Sequence, residues 1–71
     1  MIRFPVADLP AGFECVARDT GGYDVIFDVT ADSLGEWVRV DVKDGHLQLF
    51  NERSYRHRLL AKRLGFEVPD E

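Results

Sequence analysis

The stretch that most limits what this chain can fold into runs from Trp37 to Phe50, WVRVDVKDGHLQLF. Val38, Val40 and Val42 alternate with polar residues, and Leu47 and Leu49 do the same after a break at Asp44-Gly45. Period-two alternation marks a strand with one buried face. A two-residue Asp-Gly loop specifies a type I′ turn, because both central residues take φ > 0. Such a turn sets Lys43 opposite His46, Val42 opposite Leu47 and Val40 opposite Leu49. The apolar residues then meet on one face, so turn chemistry and hydrophobic pattern dictate the same register.

Seventy-one residues suffice for one domain, 1–71, with a small core; a chain of this size buries only about 60% of its unfolded surface. A sheet covered on one face by a single helix is the natural solution. Hydrophobic content of 45% and charged content of 31% are those of a folded chain rather than a disordered one. The single Cys15 has no internal disulfide partner, which fits a reducing compartment. Arg3 and Pro5 interrupt any signal-peptide pattern, and no apolar run approaches the roughly 20 residues of a membrane span. The expectation is a soluble, cytoplasmic protein with no membrane contact.

Taken in order, Ile2, Phe4 and Val6 alternate and offer a short strand; Pro5 lacks an N–H, so this segment belongs at a sheet edge or is not a strand. Phe13 to Arg18 and Tyr23 to Thr30 read as strands flanking the turn-forming run Asp19-Thr20-Gly21-Gly22. Parity limits that hairpin. A four-residue loop would turn the two apolar faces in opposite directions. A loop of three residues, Thr20 to Gly22, or of five, Arg18 to Gly22, restores the match, and the three-residue form with a G1 bulge is the commoner choice. Ala31 to Glu36 is too short for a parallel crossover, and Asp32 or Ser33 is placed to start a single helical turn. Asn51 reads as the N-cap of a helix ending near Leu64, with Phe50 and Tyr55 as a hydrophobic staple. Gly65 suits a left-handed C′ position, with Phe66 folding back on Leu60 or Ala61. The predicted fold class is α+β: a four-stranded antiparallel meander, open to an N-terminal edge strand, with one C-terminal helix on one face.

Catalytic patterns are sparse. Asp19-Thr20-Gly21 resembles the aspartic-protease triplet over those three residues, but Ala17-Arg18 stands where that family has apolar residues, and a turn accounts for the whole run. His46, His57 and Cys15 lack metal-ligand spacing. His57 falls on the polar side of the helix, His46 is a solvated strand residue after a tight turn, and Cys15 is a small core residue. No enzyme, cofactor or metal is expected.

Charge is segregated. Residues 1–50 carry four basic and nine acidic side chains, residues 51–64 five basic and one acidic, and residues 65–71 three acidic. At 100° per residue, Tyr55, Leu59, Leu60 and Leu64 form the apolar arc of the helix, and Arg56 and Arg63 fall inside it. They are expected to snorkel along the core edge and pair with sheet carboxylates such as Asp24 or Asp28. The sharper alternative is that Arg53, Arg56, Arg58, Lys62 and Arg63 meet a protein partner or the phosphates of a nucleic acid.

On the sheet, Trp37, Arg39 and Phe50 share the face away from the valines, and these residue types favour binding hot spots. Against that, Trp37 has a role in capping the core edge under the 31–36 loop, and Phe50 in turning toward Tyr55. Asp24, Asp28 and Asp41, with Glu14 nearby, alternate onto the same outer face, a pattern able to imitate a nucleic-acid backbone. The functional expectation is a non-enzymatic protein-interaction module, of the kind of a small phage-type inhibitor or adaptor. The alternative is a nucleic-acid-binding protein using the basic helix. A homodimer through an edge strand or the helix leucines is compatible with either.

Overall fold

A computed structural model describes residues 2–49 and 54–68. The elements in order are β1 (Ile2–Pro5), a 3₁₀ turn (Val6–Asp8), β2 (Glu14–Ala17), β3 (Tyr23–Phe27), β4 (Glu36–Lys43), β5 (His46–Leu49) and α1 (Tyr55–Arg63). The strands form one antiparallel sheet in the order β1-β5-β4-β3-β2. The α+β class with one C-terminal helix is as the sequence predicts, but the sheet has five strands rather than four. The fifth is β1, which joins because Ile2 and Phe4 lie opposite Leu49 and Leu47 and extend the apolar face. Pro5 is tolerated because β1 has a neighbour on one side only.

The β4–β5 hairpin has the expected register: Lys43 faces His46 and Val42 faces Leu47. Asp44 and Gly45 have φ of 54° and 76°, as a type I′ turn requires. In the β2–β3 hairpin Ala17 faces Tyr23 and Cys15 faces Val25. The five-residue connection Arg18 to Gly22 is thus used, not the three-residue one. Gly21 N donates to Arg18 O, and Arg18 N to Gly22 O, so the turn closes inside the longer loop while the apolar faces stay in phase. This is also where Asp19-Thr20-Gly21 sits: in a turn.

β3 ends at Phe27, three residues before the predicted Thr30. The cause is local backbone geometry: Asp28 adopts φ 59°, which no strand accommodates. Thr30 and Ser33 then exchange two backbone hydrogen bonds. A miniature hairpin therefore replaces the helical turn expected at Asp32 or Ser33. Thr30 Oγ1 accepts from Asp32 N, and Ser33 Oγ accepts from Gly35 N. Gly35, at φ 90°, returns the chain so close to β3 that a Cβ would stand 2.5 Å from Phe27 O.

The core is Val25, Phe27, Val38, Val40, Leu47 and Leu49 from the sheet and Leu60 from the helix. Each side chain of Leu or Val size contributes about 1.5–3 kcal/mol when fully buried. Phe13 stacks on Phe27 at 6.0 Å, and Cys15 packs against the margin, where burial pushes its thiol pKa up. The helix starts three residues later than predicted. Ser54 is its N-cap, accepting at Oγ from His57 N; Asn51 and Phe50 lie outside the described residues. Tyr55 is 67% exposed and leaves the apolar arc, whose buried members are Leu60 and Ala61. At the other end Phe66 N donates to Ala61 O and Gly65 N to Lys62 O, the Schellman arrangement. The Phe66 ring meets Phe4 edge-on at 6.2 Å, tying the helix end to β1.

A chain of this size has about 4–10 kcal/mol of total stability. Gly35→Ala is expected to cost about 2–4 kcal/mol, because a strained φ is compounded by collision with backbone. Gly12→Ala, also at positive φ but with nothing within 4 Å, should cost only about 1–2 kcal/mol. Urea unfolding of the two variants measures the difference, and equal losses would refute the close approach at Gly35.

Candidate functional site

The helix covers one face of the sheet. By strand parity the other face carries Val16, Asp24, Ile26, Trp37, Arg39, Asp41 and Gln48, since Val16 lies opposite Asp24, Asp24 opposite Arg39, Ile26 opposite Trp37 and Asp41 opposite Gln48. Arg18 lies two residues beyond Val16, on the same side. Its neighbourhood follows from the five-residue loop.

Asp24 organises this face. It is only 8% exposed. Arg39 Nε donates to its Oδ1 at 2.7 Å, and Arg18 Nε stands 3.3 Å from Oδ2. Each oxygen thus meets a different guanidinium, and burying a carboxylate is costly unless it is paired in this way. The two arginine side chains are about half exposed, at 49% and 48%. Beside them is a groove of about 390 Å³, lined by Arg18, Asp24, Ile26, Leu34, Trp37 and Arg39 together with Gly35 and Glu36. Leu34, on the way out of the miniature hairpin, is 94% exposed, and Trp37 is 49% exposed.

Arg56 reaches Trp37 from the helix. Its Cζ lies 4.5 Å from the ring centroid, and its Nη1 donates to Trp37 O. A cation over an indole is worth about 0.5–1 kcal/mol at an exposed site. Next to it, His57 Nε2 meets Arg39 O at 3.0 Å. A carbonyl only accepts, so Nε2 carries the hydrogen. His57 is therefore half-buried against β4, not on a solvated polar side, and its buried Nδ1 has no hydrogen-bond partner among the described residues. His46 is also half-buried, with Nδ1 at 2.9 Å from Asp44 O.

The sequence-predicted site residues sort as follows. Trp37 and Arg39 come together on the outer face; Phe50 and Arg53 lie outside the described residues. The acidic face forms in part: by register Asp24, Asp41 and Glu14 share the outer side. Asp24 is enclosed by two arginines, and Asp28, turned by its positive φ, leaves the sheet face and accepts from Arg63 Nε at 3.0 Å through both oxygens. Asp41 and Glu14 are exposed on their strands. Arg63 thus pairs with a sheet-side carboxylate as expected; the Asp28 hydrogen bond, then its charge, hold the guanidinium pKa above its ordinary value. Arg56 chooses an aromatic ring instead. Arg58 and Lys62, on the same helix, have interactions of their own. Members of the site missed in the sequence include Arg18, Ile26 and Leu34. Arg18 is identifiable only once the loop length is known, whereas Leu34 carries a signal, an apolar residue in an otherwise polar linker. Among the described residues no group of three or more His, Cys, Asp or Glu is placed to hold a metal, and no helix is long and apolar enough to cross a membrane.

Arg39→Gln should destabilise the fold by about 1–3 kcal/mol, because a shielded carboxylate loses its shorter charged hydrogen bond. Arg63→Gln, at a more exposed and solvent-screened pair, should cost less. Urea unfolding followed by Trp37 fluorescence reads both, and the reverse order would contradict the role given to Asp24. No protein-family model matches this chain, and no curated protein or solved structure shows significant similarity to it.

Proposed function

We propose that this chain is a cytoplasmic, non-enzymatic protein-interaction module, a small inhibitor or adaptor, and that it binds through the outer sheet face around Trp37 and Leu34. One observation carries the reading. The helix covers one sheet face only, while the opposite face holds a groove walled by a 94% exposed leucine and a half-exposed tryptophan beside paired arginines. A leucine held in solvent by a hydrogen-bonded turn contributes nothing to the core, and Trp and Arg are the side chains most enriched at binding hot spots. The uncovered area moves the reading away from acidic mimicry, because Asp24 and Asp28 are already engaged by Arg18, Arg39 and Arg63. Nucleic-acid binding by the helix gains no specific support, since Arg56 and Arg63 are committed to Trp37 and Asp28.

The test is affinity capture from a lysate of the source organism, with and without nuclease, followed by mass spectrometry. Wild-type chain should retain a protein after nuclease treatment. Leu34→Glu and Trp37→Ala should each reduce its recovery at least about tenfold, the size of a hot-spot loss. Leu34→Glu leaves the fold intact because the site is already in water. Retention that ignores both variants, or that vanishes with nuclease, overturns the proposal.

A further inference from the structure

We infer that the groove on the outer face takes a peptide segment of the partner in which a carboxylate side chain lies next to an apolar one. This rests on the interaction reading above and specifies the chemistry of what docks there. The carboxylate end is assigned by the arginine pair. Both guanidiniums contact Asp24 through Nε, the nitrogen nearest the stem, while each side chain stays about half exposed; a guanidinium carries five N–H donors, so each has more to offer a second acceptor. Arg recognises carboxylates through parallel N–H donors. Asp24, almost buried, anchors both guanidiniums on one carboxylate before any ligand arrives, and that pre-organisation lowers the entropy cost of binding. The apolar end is assigned by Leu34, Trp37 and Ile26, which line the same groove.

Charge balance narrows the occupant further. Arg18, Arg39 and Arg56 are matched nearby by Asp24 and Glu36, and by Asp19 in the adjoining hollow beside Arg18. The region is close to neutral, so it has no excess field for a polyphosphate, whose binding scales with the number of phosphates neutralised. One carboxylate hydrogen-bonded by anchored guanidinium donors needs no such excess. The groove therefore fits a single acidic side chain in an apolar context rather than a nucleic-acid strand.

The experiment is an NMR titration of the full chain with three probes: the blocked peptide acetyl-Leu-Leu-Glu-amide, its glutamine counterpart, and a short oligothymidylate. The glutamate peptide should shift the Nε–H signals of Arg18 and Arg39, the Trp37 indole N–H and the Leu34 methyls in a saturable way. The glutamine peptide should bind at least about tenfold more weakly, the loss expected when charged hydrogen bonds become neutral ones. The double variant Arg18→Lys/Arg39→Lys keeps the charge but removes the forks, and should lose about the same factor. Should that variant fail to fold, the glutamine arm on the wild-type chain still decides. Equal binding of the two peptides, shifts confined to another surface, absence of any shift, or tighter binding of the oligothymidylate at these residues overturns the inference. If the peptides fail while capture still depends on Leu34 and Trp37, the interaction module stands and only this ligand chemistry falls.

Discussion

Two adjacent residues in the left-handed region, Asp44 and Gly45, set the side on which every apolar group of the C-terminal hairpin lies. A slip of one residue at this turn would carry Val40, Val42, Leu47 and Leu49 to the far side together. β4 then passes the same parity to β3 through Val38 opposite Val25. β3 passes it to β2, and β5 to β1. The helix has somewhere to dock only because this chain of pairings delivers a continuous apolar face to Leu60.

The helix has a second task along β4. The carbonyls of Trp37 and Arg39 receive side chains from α1, Arg56 and His57. The helix is thus both a lid on the core and a source of side-chain partners for the β4 backbone. That arrangement brings Arg56 around to the Trp37 ring, and so couples the position of the helix to the shape of the outer face.

How much of this is legible in the sequence differs by element. The β4–β5 hairpin is readable to the residue, because turn type and alternation are independent signals that agree. The pairing of Arg63 with Asp28 follows from placing an arginine inside an apolar arc. The helix start is not readable, because Asn51 and Ser54 are both good caps and only tertiary packing chooses between them. The end of β3 is hidden for a different reason: an aspartate in the left-handed region carries no mark in the sequence that separates it from an aspartate in a strand. The groove was half visible. Trp37 and Arg39 follow from parity, but Asp24 reads as a solvated acid until the loop length places Arg18 beside it.

The contact of Phe66 with Phe4 joins segments some sixty positions apart in the chain, and β1 can bond only to a β5 that already exists. The two hairpins close short loops and can form in microseconds, whereas docking β1 awaits nearly the whole chain. During that interval the outer side of β5 is a bare strand edge with Leu47 and Leu49 beneath it. An identical N-terminal segment from another molecule satisfies that edge by the same bonds, so strand exchange between copies is the misassembly this topology has to outrun.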